Sequence, residues 1–325
     1  MRSPWFSLAR AYGASRGVAA VVPPEVSDAS TFARATEGFA RAYNDTHVGV
    51  SIARWMPRGT YRLVEYAARN APTLVDAMEI AAAYAPLMND RLRMRVVRTS
   101  SEVRVEHWIA GEPSSLGRHF DEFAMTTAVR FVGEVTGGRA RVSRIDFAHV
   151  AEPLRSPADL FAACVTYGSD RNAFSFPRTF ADCPLESDVA LSRLMCELSE
   201  RELGEVPRWD FATRTRVAIA ESLPSSQADA PEIARKLAVS PRTLERRLGE
   251  QGTTFVEVRD RYRRDLALHL VARKTPLHDA AKRLRFKTTR GFVRALARWS
   301  VTTCEAHRTE PTHSVVPTIH RRVDT

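Results

Sequence analysis

Arg242 and Arg246 sit four residues apart in "VSPRTLERRLGEQGTTF", residues 239–255, and alternate with Leu244 and Leu248. A guanidinium is a planar fork of donors that can pair in two-fold fashion with the O6/N7 edge of guanine or with a phosphate. On a helix of about 3.6 residues per turn, the two leucines share one face and the two arginines lie on the opposite one. One face would pack and the other would be offered outward. Ser240 is placed to cap such a helix, Pro241 to open it, and Gly249 and Gly252 to end it, so the spacing predicts a helix from Pro241 to near Gln251. Immediately upstream, "APEIARKLA" aligns Ile233, Ala234 and Leu237, and only Ala238-Val239-Ser240 is left as a turn. That is the outline of a helix-turn-helix, whose second helix carries side chains into the DNA major groove. The same spacing also fits an antiparallel helical pair with a solvated basic face.

A second copy of the pattern follows in "LHDAAKRLRFKTTRGFVRALARWS". Leu277, Ala280, Ala281 and Leu284 form one apolar stripe, and Phe292, Leu296 and Trp299 form another after a turn. Arg290, Arg294 and Arg298 recur at four-residue intervals on a separate face. Between the copies, Phe255, Val258, Tyr262, Leu266 and Leu270 keep the period of a long amphipathic helix. A rod of this kind would hold two recognition helices at a fixed separation, suited to successive major-groove segments on one face of DNA.

Charge is divided unevenly along the chain. Of 48 Lys+Arg and 38 Asp+Glu, residues 230–308 hold 19 and 8, a net +11 against +10 for the whole chain; the remainder, 29 against 30, is close to neutral. A basic excess confined to one segment is the footprint of a polyanion-binding module joined to a neutral one. At 325 residues the chain should hold about two domains. No apolar run approaches the roughly 18 residues of a membrane span, and Arg10 and Arg16 interrupt the apolar stretches at the start, so a cytoplasmic protein is expected. Cys164, Cys183, Cys196 and Cys304 form no C-x-x-C pair and none of the nine histidines forms an H-E-x-x-H pair. No metal site, disulfide framework or cofactor is implied.

The segments "IARKLAVSPRTLERRL", "GTTFVEVRDRYRRDLALHLV" and "GFVRALARW", ending in "EAHR", resemble the AraC/XylS family of bacterial transcription regulators in order and spacing over about 100 residues. The resemblance implies a first recognition helix over Pro241 to Glu250 and a second over about Thr289 to Trp299. The candidate DNA-binding residues are Ser240, Arg242, Thr243, Glu245 and Arg246 in the first unit and Thr289, Arg290 and Arg294 in the second. The arginines are assigned to guanine edges or phosphates, whereas Thr243, Glu245 and Thr289 have the alternative use of capping or hydrating a helix start. Departures concentrate in the second unit. Ala280-Ala281 replaces the usual Ile-Ala, Arg285 stands at the turn glycine, Val301 and Cys304 replace Gly and Pro, and His307 replaces an aromatic before Arg308. In the first unit Ala238 replaces the turn glycine. A left-handed turn position costs a residue other than glycine roughly 1 kcal/mol. The first unit is therefore expected to anchor specificity and the second to bind mainly phosphates or to tolerate varied sequence.

The neutral half reads as mixed α and β. "STFARATEGFARAYND" and "TLVDAMEIAAAYAPLM" have helical spacing, "LRMRVVRTSSEVRVEHWIA" alternates as a hairpin, "ARVSRIDFAHV" is a third strand, and "SPADLFAACVTYG" is expected to be helical. This order resembles the arabinose-binding-like amino-terminal domain of one AraC-type subgroup. Further likenesses are "NAPTLVDAMEIAAAYAPLMND", "RIDFAHVAEP" and "FSFPRTFADCPL". Tyr84, Arg93, His107 and Trp108 could offer polar tips to a ligand, but each has a simpler structural use and none is assigned.

The expected fold is an α+β amino-terminal effector-type domain and an all-α carboxy-terminal domain, with two helix-turn-helix units joined by a long helix. The expected division is an amino-terminal segment over 1–24, an effector or dimerisation domain over 25–206, a DNA-binding domain over 207–308 and a disordered tail over 309–325. "RWDFATRTRVAIAESL" should open the DNA-binding domain, with Arg214 and Arg216 offered to phosphates. The function implied is a sequence-specific regulator controlled by a small-molecule effector. A ligand-independent regulator whose amino-terminal domain serves protein contacts is the alternative, and an enzyme fused to a DNA-binding module is a more distant one. Double-stranded promoter DNA is the expected partner; RNA polymerase, an effector and a second copy of the chain are further partners that this reading allows.

Overall fold

The computed structural model describes residues 4–18, 29–113, 115–151, 161–206 and 209–308, with side chains in the last helix described to Trp299. The predicted tail over 309–325 lies outside the described residues, as does most of the stretch before residue 29 that follows the first helix.

Helices α1 (Trp5–Ser15), α2 (Ala29–Ala42) and α3 (Val48–Trp55) lead the amino-terminal half, followed by α4 (Arg62–Arg69), α5 (Leu74–Ala83) and α6 (Ala85–Met88). The run predicted as one helix over 73–88 is two, since Pro86 opens α6 and the chain turns at Tyr84. Strands β1 (Leu92–Arg98) and β2 (Glu102–Ile109) form the predicted antiparallel hairpin, with Arg93 opposite Trp108 and Met94 opposite His107. In β2 the alternation drives Val103, Val105, His107 and Ile109 inward. Helix α7 (Arg118–Val135), strands β3 (Arg144–Asp146), β4 (Cys164–Thr166) and β5 (Asn172–Pro177), and helix α8 (Val189–Glu205) complete this half. The sheet order is β1-β2-β5-β3-β4.

One expectation fails here. The helix expected over 156–168 is absent from its described part: Phe161 to Ala163 are bends, and Cys164 to Thr166 pair in parallel with β3. Val165 and Thr166 suit a pleated surface, and the free edge of β3 gives their backbone groups partners that outweigh the local helical spacing.

Two apolar cores fill this half. One lies between the sheet and helices α5 and α7, around Val105, Met125, Ile145, Phe174 and Phe176. The other is aromatic and joins α1, α2, α3 and α7 through Trp5, Phe32, Phe39, Phe120 and Phe123. Helices α3 and α7 approach so closely at Gly49 that a Cβ there would strike the carbonyl of His119.

The carboxy-terminal half is entirely helical: α9 (Phe211–Ser222), α10 (Ala230–Lys236), α11 (Pro241–Gly249), α12 (Phe255–Ala272), α13 (Leu277–Arg283) and α14 (Thr289–Arg308). Phe211, Ile219, Ile233, Leu244, Leu248 and Val258 make a core at one end of α12, while Leu270, Ala280, Leu284, Phe292 and Trp299 make another at its other end. Leu266 packs on both. Leu277, expected on the apolar stripe of α13, is instead exposed at the helix start. The architecture is thus an α+β domain followed by an all-α domain with two helix-turn-helix units on one shared helix. Among the described residues no helix is long and apolar enough to cross a membrane.

Candidate nucleic-acid interface

Helix α11 forms because its ends are specified. The Ser240 hydroxyl accepts from the Thr243 backbone N–H at 3.1 Å and lies 2.9 Å from the Thr243 hydroxyl, and Pro241 occupies the first turn. Leu244 and Leu248 are fully buried. Arg242, Glu245 and Arg246 face solvent. Arg246 pairs with Glu250 one turn on, a contact worth only a few tenths of a kcal/mol at an exposed site. Arg242 makes no hydrogen bond or ion pair among the described residues. Arg247 turns back instead, over the ring of Phe211 at 5.3 Å, and anchors α11 to α9.

The second unit repeats this geometry. Thr288, a residue the sequence reading passed over, accepts from the Gly291 N–H at 3.0 Å and caps α14; a threonine just before an apolar-periodic run was the available signal. Thr289 is therefore the first helical residue. Phe292, Ala295 and Trp299 turn inward, while Arg290 and Arg294 are exposed and make no hydrogen bond or ion pair among the described residues. Lys287, just ahead of the cap, is a further exposed cation. Each helix thus presents cations on the outer face of its first turns, where the positive end of the helix dipole also favours a phosphate.

Helix α12 holds the two units apart. Its 18 residues span about 27 Å at 1.5 Å per residue, comparable with the roughly 34 Å of one turn of B-DNA. It begins with a reciprocal capping box between Thr254 and Glu257. Both turns take the left-handed conformation in which glycine was missing, with φ +56° at Ala238 and +57° at Arg285. Arg285 has a use beyond the turn. Its Nε donates to the Leu223 carbonyl at 3.1 Å and its Nη2 to the Pro224 carbonyl, so it clasps the end of α9 and ties the second unit to the first.

Arg216 is not available to phosphates as expected. Its side chain is largely buried, and its guanidinium donates to the Gly111 carbonyl at 2.7 Å, to Glu112 at 2.8 Å and to Asp265 at 2.9 Å. Glu112 also accepts from Arg91 at 2.6 Å, so its buried carboxylate joins the amino-terminal half to α9, and Arg216 extends the link to Asp265 on α12. The carboxylates facing Arg216 hold its pKa above the ordinary arginine value against the opposing effect of burial. Arg214, also offered to phosphates, lies 5.6 Å over Phe211. A second contact between the halves pairs Asp170 with Arg273 and, at 3.1 Å, with Arg283.

The amino-terminal candidates separate. Tyr84 donates to Glu200 at 3.3 Å, Arg93 stacks on Trp209 at 4.9 Å, and Arg171 stacks on Trp108 at 3.9 Å. His107 lines an apolar cavity of about 150 Å³ between the sheet and the helices. It also borders a cleft of about 860 Å³ between the two halves, with mixed polar and apolar walls, which Arg93 and Trp108 also line. Burial pushes the His107 pKa down to about 4, so the ring is neutral. Asn89 and Thr127 line the same cavity and were not found from the sequence.

Both halves of the chain match families of known proteins. Residues 233–309 match a family described as a helix-turn-helix domain. The chain is similar to the HTH-type transcriptional regulator VirS of Mycobacterium tuberculosis, 27% identical over 276 residues, 82% of this chain and 80% of that protein. It is also similar to the ornithine utilization regulator of Pseudomonas aeruginosa, 25% identical over 309 residues and 90% of each chain. Among solved structures it resembles the transcriptional regulator CdpR of Pseudomonas aeruginosa, with TM-score 0.48, 20% identity, and coverage of 95% of this chain and 99% of that one. Residues 16–185, more than half of the chain, match the family described as the arabinose-binding domain of AraC transcription regulator, amino-terminal. The chain therefore belongs to the AraC-type transcription regulators with an arabinose-binding-like amino-terminal domain, and it is a DNA-binding regulator of transcription.

Proposed function

We propose that the chain binds promoter DNA through both helix-turn-helix units, with Arg242 and Arg246 on α11 and Arg290 and Arg294 on α14 reading guanine edges or gripping phosphates. The observation that carries this is the pair of capped helices, each rooted by buried apolar residues and each offering exposed guanidiniums, at opposite ends of α12. Ser240 and Thr243 serve the cap first, and the backbone N–H groups they leave at the helix start suit a phosphate. Glu245 lies on the exposed face beside the arginines and would favour a cytosine amino group. Thr289 sits where a backbone phosphate would approach α14.

On this reading residues 25–206, with α1 packed against them, form the effector unit and residues 207–308 the DNA-binding unit. A small molecule in the effector unit would act by favouring one arrangement of the Arg216–Glu112 contact over another. RNA polymerase is the partner that a promoter-bound regulator meets. A second copy of the chain fits the exposed Leu191 and Leu194 on α8. The regulator reading gives catalysis no role and sets the protein in the cytoplasm.

Fluorescence anisotropy of labelled duplexes with the full-length protein, repeated across salt concentrations, tests the assignment. Each guanidinium lost from a phosphate should flatten the log–log salt slope by about 0.9. A guanine reader should instead cost 1–3 kcal/mol on the preferred site and little elsewhere. Arg242→Ala and Arg294→Ala variants that bind as the native protein does, at every salt concentration, would remove these helices from the interface.

A further inference from the structure

The cavity behind His107 has a composition that defines a ligand class. Its walls include Met56, Met78, Leu92, Met94, Phe120 and Phe131, and its volume is about 150 Å³. A dry apolar cavity of about that size accommodates a benzene-sized molecule. Three buried polar atoms on these walls have no hydrogen-bond partner among the described residues: Asn89 Nδ2, His107 Nε2 and Thr127 Oγ1. Asn89 and His107 are both more than nine-tenths buried. An unsatisfied buried polar group is costly, so three of them on the walls of one cavity call for a partner there.

The charged residues at the cavity rim are already spent on one another. Arg69 donates to Glu65 at 2.9 Å and to Glu134 at 2.7 Å. Arg130 donates to Glu134 at 2.7 Å and to the carbonyls of Ala53 and Met56 at 2.8 and 2.6 Å. Two cations face two carboxylates, and among the described residues of the rim no spare cation is left to pair with an anionic ligand. A sugar fits no better, because several hydroxyls would have to find partners among methionine, leucine and phenylalanine walls.

We infer that this cavity binds an uncharged molecule about the bulk of one aromatic ring, carrying a single hydroxyl or carbonyl oxygen that pairs with His107 and with whichever of the unpartnered Asn89 and Thr127 groups it reaches. The inference deepens the effector reading and rests on it for its regulatory meaning. His107 also walls the cleft that faces the DNA-binding half, and the chain runs from it through four residues to Glu112, the partner of Arg216. A ligand touching His107 would therefore bear on the strand that holds the two halves together.

The test uses full-length protein and four probes: acetophenone, toluene, benzoate and L-arabinose, each titrated by calorimetry and thermal shift. Acetophenone should bind saturably and more tightly than toluene, with benzoate and arabinose inert. Ala128→Met, which fills the cavity, should abolish binding. His107→Leu should weaken acetophenone roughly five- to tenfold, the size of one hydrogen bond, and leave toluene unchanged. Should either variant fail to fold, Thr127→Val provides the same comparison at a half-buried position. Binding of arabinose or benzoate in preference to acetophenone, or of none of the four, would overturn the inference while leaving DNA binding untouched. Saturable acetophenone binding that leaves DNA affinity unchanged would uphold the site and count against effector control.

Discussion

Arg285 offers a quantitative test of whether the second helix-turn-helix is eroded or rebuilt. The residue sits at φ +57°, which costs a side-chain-bearing residue about 1 kcal/mol relative to glycine. Against this stand the two hydrogen bonds that its guanidinium donates to the Leu223 and Pro224 carbonyls at the end of α9. Bonds from a charged donor contribute about 1.5–3 kcal/mol, and the half-exposed setting places this pair near the lower figure, about 1.5 kcal/mol in total. Arg285→Ala loses the clasp and keeps the strain, so it should destabilise by about 1.5 kcal/mol. Arg285→Gly loses the clasp and relieves the strain, leaving a net loss of about 0.5 kcal/mol. Urea unfolding of the full-length variants gives the order native, Gly, Ala. Native-state hydrogen exchange should place the loss in α13 and α14. A glycine variant more stable than the native protein would refute the clasp and mark the position as a plain defect of the turn.

Two further outcomes follow from buried groups. Arg216→Met leaves Glu112 with Arg91 alone and should cost about 3 kcal/mol, the scale of a broken buried ion pair, with faster hydrogen exchange at Ala110–Glu112; unchanged exchange there would show that Arg216 does not hold this segment. Burial holds His107, His119 and His269 near pKa 4, below the ordinary histidine value of 6.5. Between those pH values the unfolded chain takes up protons that the folded chain refuses, so stability is complete above about pH 6.5 and falls on acidification by about 1.4 kcal/mol per pH unit for each such histidine. Thermal unfolding from pH 7 to 5 checks the sign, and His107→Leu should shallow the slope by one proton; a melting temperature that rises on acidification would contradict these assignments.

What could be read from the sequence was whatever depended on neighbours in the chain. Leu244 and Leu248 at helical spacing, the Ser240 cap and the alternation of Val103, Val105 and Ile109 each declare their element within one or two turns of chain, and each is placed as expected. The left-handed turns at Ala238 and Arg285 were legible only through the family resemblance, which puts a turn glycine at each position. What escaped were residues whose roles are set by distant partners. Cys164–Thr166 has local helical spacing and becomes a strand only because β3 lies beside it. Arg216 looks like any basic residue on an amphipathic helix until Glu112, 104 positions earlier, is brought against it. The cavity follows the same pattern. His107 was visible as a polar residue in an apolar alternation, whereas Asn89 and Thr127 belong to it only through the packing of α6 and α7 on the sheet.

The central claim is sequence-specific DNA binding through α11, and selection of genomic fragments by the purified full-length protein, run beside Arg246→Ala, tests it most directly. Specific regulation predicts a recurring motif for the native protein that the variant loses while keeping weak, salt-sensitive binding to any duplex. Salt-sensitive binding with no motif, or the same motif recovered by both proteins, would contradict it.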